Sequence, residues 1–224
     1  MNNRATEKHP FNTFIQPDSQ VLIVGSFPPI KFTEKIYENI QTANMSEYYK
    51  AYENNRQNLF TNEDISFYYG SRDNLFWKIL TKVFNQNLTD KDSIIKFLCA
   101  YKFGITDIVE EASRKIRSNK LSSLDADLII IKPRNIPEII SSTKIKFILT
   151  TSEFVTNYLA NQFCSIANKP YIQTLLSPSK SASRAIGRLS EYKNLKSSNK
   201  IKNTIDYRVM KYNEIFKSLV AKIR

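Results

Sequence analysis

Short apolar runs alternate along this chain with longer stretches of helical period. Residues 21–24 are β-prone and Gly25 closes the run, so QVLIVGSFPP predicts a buried strand entering a loop. ITDIV and KFILTT read as further strands, and YIQTLLSPSKSASR runs from a strand through a polar loop into a helix starting near Ser181. LFWKILTKVF sets Leu75, Ile79 and Val83, with Phe76 and Leu80, on one helical stripe. SIIKFLCAYKF predicts a second helix, stopped by Gly104. NIPEIISSTK, its start framed by Pro133 and Pro137, predicts a short helix, and SEFVTNYLANQF a longer one capped by Ser152. SRKIRSNKLSSLDADL reads as a charged loop ending near Leu128, and a closing helix begins at about Asp206.

Buried strands separated by helices favour a parallel sheet covered on both faces. The expected fold class is therefore α/β, a three-layer α/β/α sandwich with a central, mostly parallel sheet. Residues 1–20 would form an N-terminal arm and residues 21–224 a single domain. Within it, residues 30–67 would be a long insertion and 193–203 a basic linker before the last helix. In such sheets ligands bind beyond the carboxyl ends of the strands. Three polar loops fall there: GSFPP, the segment after ITDIV, and LLSPSKSASR.

Composition narrows the classes. An apolar share of 42% with 12% aromatics in 224 residues argues for a globular chain, and a formal charge of +12 favours contact with nucleic acid or an anionic surface. No apolar run approaches the roughly 20 residues of a spanning helix, and the first residues have no apolar core of the signal-peptide kind. Cys99 and Cys164 lie in apolar helical patterns and are expected as buried reduced thiols, which suits a cytoplasmic protein. His9 is the only histidine, and its polar surroundings predict an exposed surface residue. That leaves no Ser–His–Asp triad and no zinc site, so no metal or organic cofactor is expected. Catalysis would have to use amides, hydroxyls, carboxylates and cations.

Three segments have the composition for such chemistry. GSFPP lacks the glycines of a phosphate cradle, and Pro28 and Pro29 have no N–H, so it is either a rigid turn or a stiff pocket wall where Phe27 stacks on a planar ring. In YYGSRDNLFW, Asn74 would either cap the following helix or use its amide to read a base edge or hold a water, and Tyr68 and Tyr69 are either core or pocket. SPSKSASR brings Ser177, Ser179, Lys180, Ser181 and Arg184 to the start of a helix, a set suited to a phosphate.

Taken in order, these segments resemble the uracil-DNA glycosylase superfamily. The closest branch is the hypoxanthine-DNA glycosylase-like one, with the mismatch-specific thymine/uracil glycosylases next. Its Gly-Ser-x-Pro loop is matched by Gly25, Ser26, Phe27 and Pro28. Two tyrosines, four residues and Asn-x-Phe-Trp are matched by Tyr68, Tyr69, Asn74, Phe76 and Trp77. Gly104, Ile105 and Asp107, then Ser123, Leu124 and Asp125, look like its Gly-Ile, Asp and Ser-Leu-Asp, and Ser177 and Pro178 like its final Ser-Pro. The chain departs at Pro29, where the branch often has Gly, and at Ser71 and Arg72, which replace His-Pro. Leu175 and Leu176 stand where many members carry a histidine.

The resemblance implies a monofunctional DNA glycosylase that flips out a base and hydrolyses its N-glycosidic bond by water attack. It implies Asn74 and Ser26 as catalytic residues and Gly25, Phe27, Pro28, Tyr68 and Tyr69 as the base pocket. Ser177, Ser179, Lys180, Ser181 and Arg184 would grip the DNA backbone. Partners would be double- or single-stranded DNA, with no membrane, and the protein a monomer. Uracil or hypoxanthine is the conservative target. The long insertion suggests instead a bulky modified base of the kind that masks phage DNA, which would make the protein a defence factor. The competing classes are a non-enzymatic nucleic-acid-binding module on the same fold and a small-nucleotide-binding protein.

Overall fold

A computed structural model describes residues 6–36, 50 and 61–223. Most of the insertion, including nearly all of residues 42–62, therefore lies outside the described residues. The elements run β1 (Thr6–Lys8), β2 (Val21–Gly25), β3 (Glu34–Ile36), α1 (Phe76–Phe84), α2 (Lys91–Ala100), β4 (Phe103–Asp107) and β5 (Val109–Arg114). A small hairpin of β6 (Ile116–Arg117) and β7 (Lys120–Leu121) follows, then β8 (Leu128–Pro133), α3 (Ile136–Ile140), β9 (Phe147–Thr150), α4 (Glu153–Gln162) and β10 (Tyr171–Thr174). The chain ends through α5 (Ser183–Ile186), α6 (Ser190–Ser197) and α7 (Thr204–Ile223).

The protein is mixed α/β. Strands β10, β9, β2 and β4, in that spatial order, form an all-parallel sheet. Residues of β2 alternate between two apolar clusters because successive side chains point to opposite faces. Val21 and Ile23 join Phe76, Ile79 and Leu80 of α1, Ile94 and Phe97 of α2, and Tyr212 and Phe216 of α7. Leu22 and Val24 join Ile136 and Ile140 of α3 and Val155 and Leu159 of α4. A sheet buried on both faces favours near-continuous apolar runs, and β2 and β4 are buried throughout, Thr106 and Asp107 being the polar residues at the end of β4.

A second, antiparallel sheet, ordered β3-β1-β5-β8, stands beside it. Only Ile108 separates β4 from β5, so one stretch of chain serves both sheets. The expected charged loop thus contains the last two residues of β5 and the whole of β6 and β7. Its alternation was hidden because charged residues such as Arg114 are buried as ion pairs.

The N-terminal segment is part of both sheets. β1 pairs with β3 and β5, and Phe14 exchanges backbone hydrogen bonds of 3.0 and 2.8 Å with Ile105, adding an antiparallel edge to β4. Glu7, only 1% exposed, takes the Arg114 guanidinium on both carboxylate oxygens at 3.1 Å. Arg114 in turn donates to the Pro28 carbonyl at 2.6 Å and lies over the Phe27 ring at 5.3 Å. The arm therefore fixes the loop that follows β2.

Other expectations are corrected. Cys99 and Cys164 are exposed free thiols, because each sits on the outer side of its helix end. Gly104 does not stop α2; Lys102, at φ 56, makes the turn and Gly104 lies inside β4. α6 occupies the first part of the expected basic linker, with Tyr192 buried against Tyr207 at 5.7 Å. Among the described residues no helix is long and apolar enough to cross a membrane.

Removing one partner of a buried ion pair leaves a charge without solvent or counterion. Glu7→Gln is expected to lower the unfolding free energy by about 3 kcal/mol. Urea denaturation of the two proteins checks this, and Arg114→Met combined with Glu7→Gln should recover part of the loss.

Candidate functional site

From β2 the chain crosses to β4 on one side and later to β9 on the other, so a crevice opens beyond the end of β2. A cavity of ≈ 610 Å³ occupies it. Its walls are residues 26–32 after β2, residues 67–74, Asp107 at the end of β4, β7 of the hairpin and residues 123–125 after it, Thr151 and Ser152 after β9, and residues 177–181. The three loops expected at this end of the sheet thus meet in one place.

The wall containing YYGSRDNLFW is built by close backbone approach. The Ile65 amide donates to Gly70 O at 2.8 Å, and a Cβ on Gly70 would meet Ile65 O at 1.8 Å. Tyr69 takes up the turn at φ 54, uncommon for a side chain of its size. Asp64 anchors the approach, accepting from the amides of Thr61 and Arg72, each at 2.8 Å, and from the Lys31 ammonium at 2.5 Å. Burial pushes the Asp64 carboxyl up, but Lys31 and the two amides outweigh it and hold the pKa at about 2. Trp77 is core, 4% exposed, with its indole N–H on Tyr68 O at 2.6 Å.

Asn74 lines the cavity, where the amide of Leu75 donates to Pro178 O at 2.8 Å and that of Lys180 to Asp73 O at 3.0 Å. Its Oδ1 accepts from the Phe76 amide at 2.9 Å, closing a turn just ahead of α1, whose N-cap is Leu75, with no side-chain cap bond, and not Asn74. That bond fixes the side-chain orientation: the oxygen faces the helix and Nδ2 is left as a donor with no protein partner among the described residues.

The two tyrosines differ. Tyr68 is scaffold, 2% exposed, with its hydroxyl donating to Phe11 O and Asn12 O at 3.2 and 3.1 Å and accepting from Arg134 at 3.0 Å. Burial raises its pKa to about 12, with Arg134 pulling the other way. Tyr69 packs on Phe76 at 4.7 Å, and its buried hydroxyl lies beside the Thr151 side chain without a well-formed hydrogen bond. Burial, with the nearby Asp107 charge, pushes that phenol well above its ordinary value.

Gly25 ends β2 beneath the cavity, and Ser26 donates to Asp125 Oδ1 at 2.6 Å. Ser152 donates to the other Asp125 oxygen at 3.2 Å. Phe27 is half-buried at the wall and Pro28 is buried. In SPSKSASR the hydroxyls serve the loop itself. Ser177 Oγ accepts from the Ser179 amide at 3.4 Å, and the Ser179 and Ser181 hydroxyls meet at 2.7 Å. Lys180 reaches Asp73 at 3.3 Å, while Arg184 is exposed on α5, outside the cavity wall. Exposed Arg72 and Lys120 complete a basic rim.

Four functional neighbours were not read from the sequence as such. His9 is 4% exposed rather than at the surface, because the arm is threaded into the fold; its Nε2 lies 2.9 Å from Asp107 Oδ2. Arg134 ties Tyr68 to Thr106 Oγ1 at 2.9 Å and to Phe11 O at 2.7 Å. Arg208, wholly buried in α7, donates to Ser177 O at 2.8 Å and Ser179 O at 2.9 Å. Asp125 was visible only through the Ser-Leu-Asp resemblance. No local signal marks a histidine or arginine whose partner lies far along the chain. Among the described residues no cluster of three His, Cys, Asp or Glu side chains could hold a metal ion.

No family model matches this chain, and no curated protein matches it. Among solved structures it is similar to the solution NMR structure of a putative uracil DNA glycosylase from Methanosarcina acetivorans, at 18% identity and a TM-score of 0.49, over 84% of this chain and 96% of that one. An overlap this loose carries no argument about chemistry, which has to come from the residues themselves.

The depressed Asp64 pKa has a sign that can be checked. Its folded value lies below the unfolded one of roughly 4, so the stabilisation is complete above that range and is lost as pH falls through about 2. The stability difference between wild type and Asp64→Asn should hold constant above about pH 5 and shrink between pH 4 and 2, as followed by urea melts across pH.

Proposed function

We propose that this protein is a monomeric, cytoplasmic DNA N-glycosylase of the uracil-DNA glycosylase superfamily, folded as a three-layer α/β/α sandwich. A flipped base would enter the cavity beyond β2, and water would replace it at the sugar carbon. One observation carries the reading: Asn74 is held by its hydrogen bond from the Phe76 amide, with its N–H₂ unpaired among the described residues at the wall of an aromatic-lined, basic-rimmed cavity. Such a fixed donor is what a departing base needs as negative charge moves onto it.

The other roles follow from position. Phe27, half-exposed and braced by Arg114, would stack on the base, with Gly25, Pro28, Tyr68 and Tyr69 shaping the pocket around it. Ser26 would act through Asp125, to which its hydroxyl is bound. Lys180 and Arg184, with Ser177, Ser179 and Ser181, would hold the DNA backbone along the loop that Arg208 supports. Leu124, 54% exposed at the mouth, is the apolar side chain suited to fill the vacated stack.

The substrate would be uracil, hypoxanthine or a modified pyrimidine, in base-excision repair or in defence against phage. A volume of ≈ 610 Å³ falls in the range that takes a drug-sized ligand, which supports a base larger than a bare pyrimidine.

The test is release of free base from DNAs carrying uracil, hypoxanthine, mismatched thymine, or hydroxymethylated or glucosylated cytosine. Wild type should release one of these. Asn74→Asp, which keeps the acceptor for the Phe76 amide but removes the donor, should slow single-turnover release by about 10²–10³-fold with DNA affinity little changed. Asn74→Ala should lose the same rate and also about 1 kcal/mol of stability with the hydrogen bond to the Phe76 amide. DNA binding without release from any substrate would instead identify a binding module. In binding assays over a salt series, Lys180→Ala should weaken all DNAs alike and reduce the log–log slope by about 1.

A further inference from the structure

The wall formed by residues 177–181 runs directly into a basic stretch that lies outside the cavity. Residues 183–203 hold six cationic side chains, Arg184, Arg188, Lys193, Lys196, Lys200 and Lys202, against one acidic one, Glu191. All six are exposed, and none has an ion-pair partner among the described residues. The nearby acids are already taken. Lys211 of α7 reaches Glu191 at 2.6 Å and the Tyr207 hydroxyl donates to it at 2.7 Å, while Asp206 accepts from Lys82 at 3.4 Å and from the Lys202 amide at 3.1 Å.

These charges stand on a fixed frame. Ile186, Tyr192, Ile201 and Tyr207 form one apolar cluster, with Leu195 packed against it. Tyr192 and Leu195 thus turn inward from α6. Lys193 and Lys196, each one position further on, lie one turn apart on its exposed side. The Lys196 ammonium stands over the Tyr192 ring at 6.0 Å. Asn199, at φ 57, ends the helix, and the Lys200 amide donates to Leu195 O at 3.0 Å, which folds Lys200 back beside it. At the other end Arg208 holds the Ser183 hydroxyl at 3.2 Å, so the stretch is tied to the cation that also supports the cavity wall.

Three polyanions carry the charge to match. An anionic membrane is bound by apolar side chains exposed beside basic ones. Here the apolar residues of α6 face the core, and Leu189, 41% exposed, is the one large apolar side chain of the stretch at the surface. Unpaired nucleic acid is held by bases stacked on aromatic rings. The single aromatic residue of this stretch, Tyr192, is 6% exposed. A duplex instead offers rigidly spaced phosphates at one charge per roughly 1.7 Å of axis, so a helix about 12 Å long meets several of them.

We infer that the exposed side of α5, α6 and the turn after it grips the phosphates of duplex DNA flanking the nucleotide that enters the cavity, and that this grip makes the protein prefer duplex to single-stranded DNA. This rests on the DNA-binding part of the glycosylase reading. Such contacts set position along the duplex and carry no base sequence.

The experiment measures affinity for a long duplex and for one of its strands alone, over a salt series. The variant Lys193→Gln/Lys196→Gln/Lys200→Gln is compared with Lys144→Gln/Lys146→Gln/Lys169→Gln, an equal charge change at exposed positions preceding β9 and β10, at the opposite end of the sheet. On duplex the first variant should lower the log–log salt slope by about 2–3 and weaken binding about 10–100-fold near 0.1 M salt. Its affinity for the single strand should fall less than about threefold. Lys193→Gln and Lys196→Gln alone should each lower the duplex slope by about 1. The second variant should change that slope by less than about 1. An unchanged duplex slope in the first variant, an equal loss in the second, or an equal loss on the single strand would overturn the inference. Duplex binding through these lysines with no base released by wild type would sink the glycosylase chemistry and leave the grip standing. Failure of wild type to bind duplex at low salt overturns both.

Discussion

Arg208 is a guanidinium with no solvent exposure and no ion-pair partner among the described residues. Removing an isolated charge from water costs several kcal/mol even after relaxation. Burial accordingly lowers its pKa, and the compensation comes from oxygen atoms: the carbonyls of Ser177, Ser179 and Thr204 and the hydroxyls of Ser183 and Thr204. Tyr212, one turn further along α7, donates to Leu176 O at 2.8 Å. Together they give residues 176–179 one conformation. That segment is hydrogen-bonded to residues 73–75, so the position of Asn74 is set by a helix that closes the chain. The cavity wall is a cross-linked lattice of backbone carbonyls around one cation.

The opposite wall rests on a comparable device. Arg114 is neutralised by Glu7, yet its remaining donors go to the carbonyls of Pro28 and Ser122, on the two loops that flank Ser26 and Asp125. Arg134 ties the Tyr68 hydroxyl to the arm at Phe11 and to β4 at Thr106. Three buried arginines thus act on main-chain oxygen as much as on carboxylate. This explains how an irregular, loop-built site stays in shape where regular secondary structure supplies few hydrogen bonds.

The parallel sheet was legible because β2 and the first three residues of β4 and of β9 are apolar, and α1 because its stripe has the helical period. The carboxyl-end loops could be placed from that order alone, and they do converge on the cavity. The second sheet was illegible: its strands bury Glu7, Ser113 and Arg114, so their sequences carry no apolar alternation. The same cause hid His9, whose burial is decided by Asp107, 98 residues away. Polar character next to His9 means exposure only if nothing distant pairs with it. The cysteines failed in the other direction: Cys99 stands near apolar Leu98 and Phe97, but on the side of α2 turned from the sheet.

The two walls differ in how much chain must exist before they can form. Arg208 meets Ser177 across only 31 residues. Glu7 and His9 wait about a hundred residues for Arg114 and Asp107, and closing so long a loop is entropically slow. During that interval the β5 edge and the end of β4 have no partner strand from the arm. A polypeptide emerging from the ribosome therefore holds residues 7–9 in reserve, to be laid on a foundation made about a hundred residues after them.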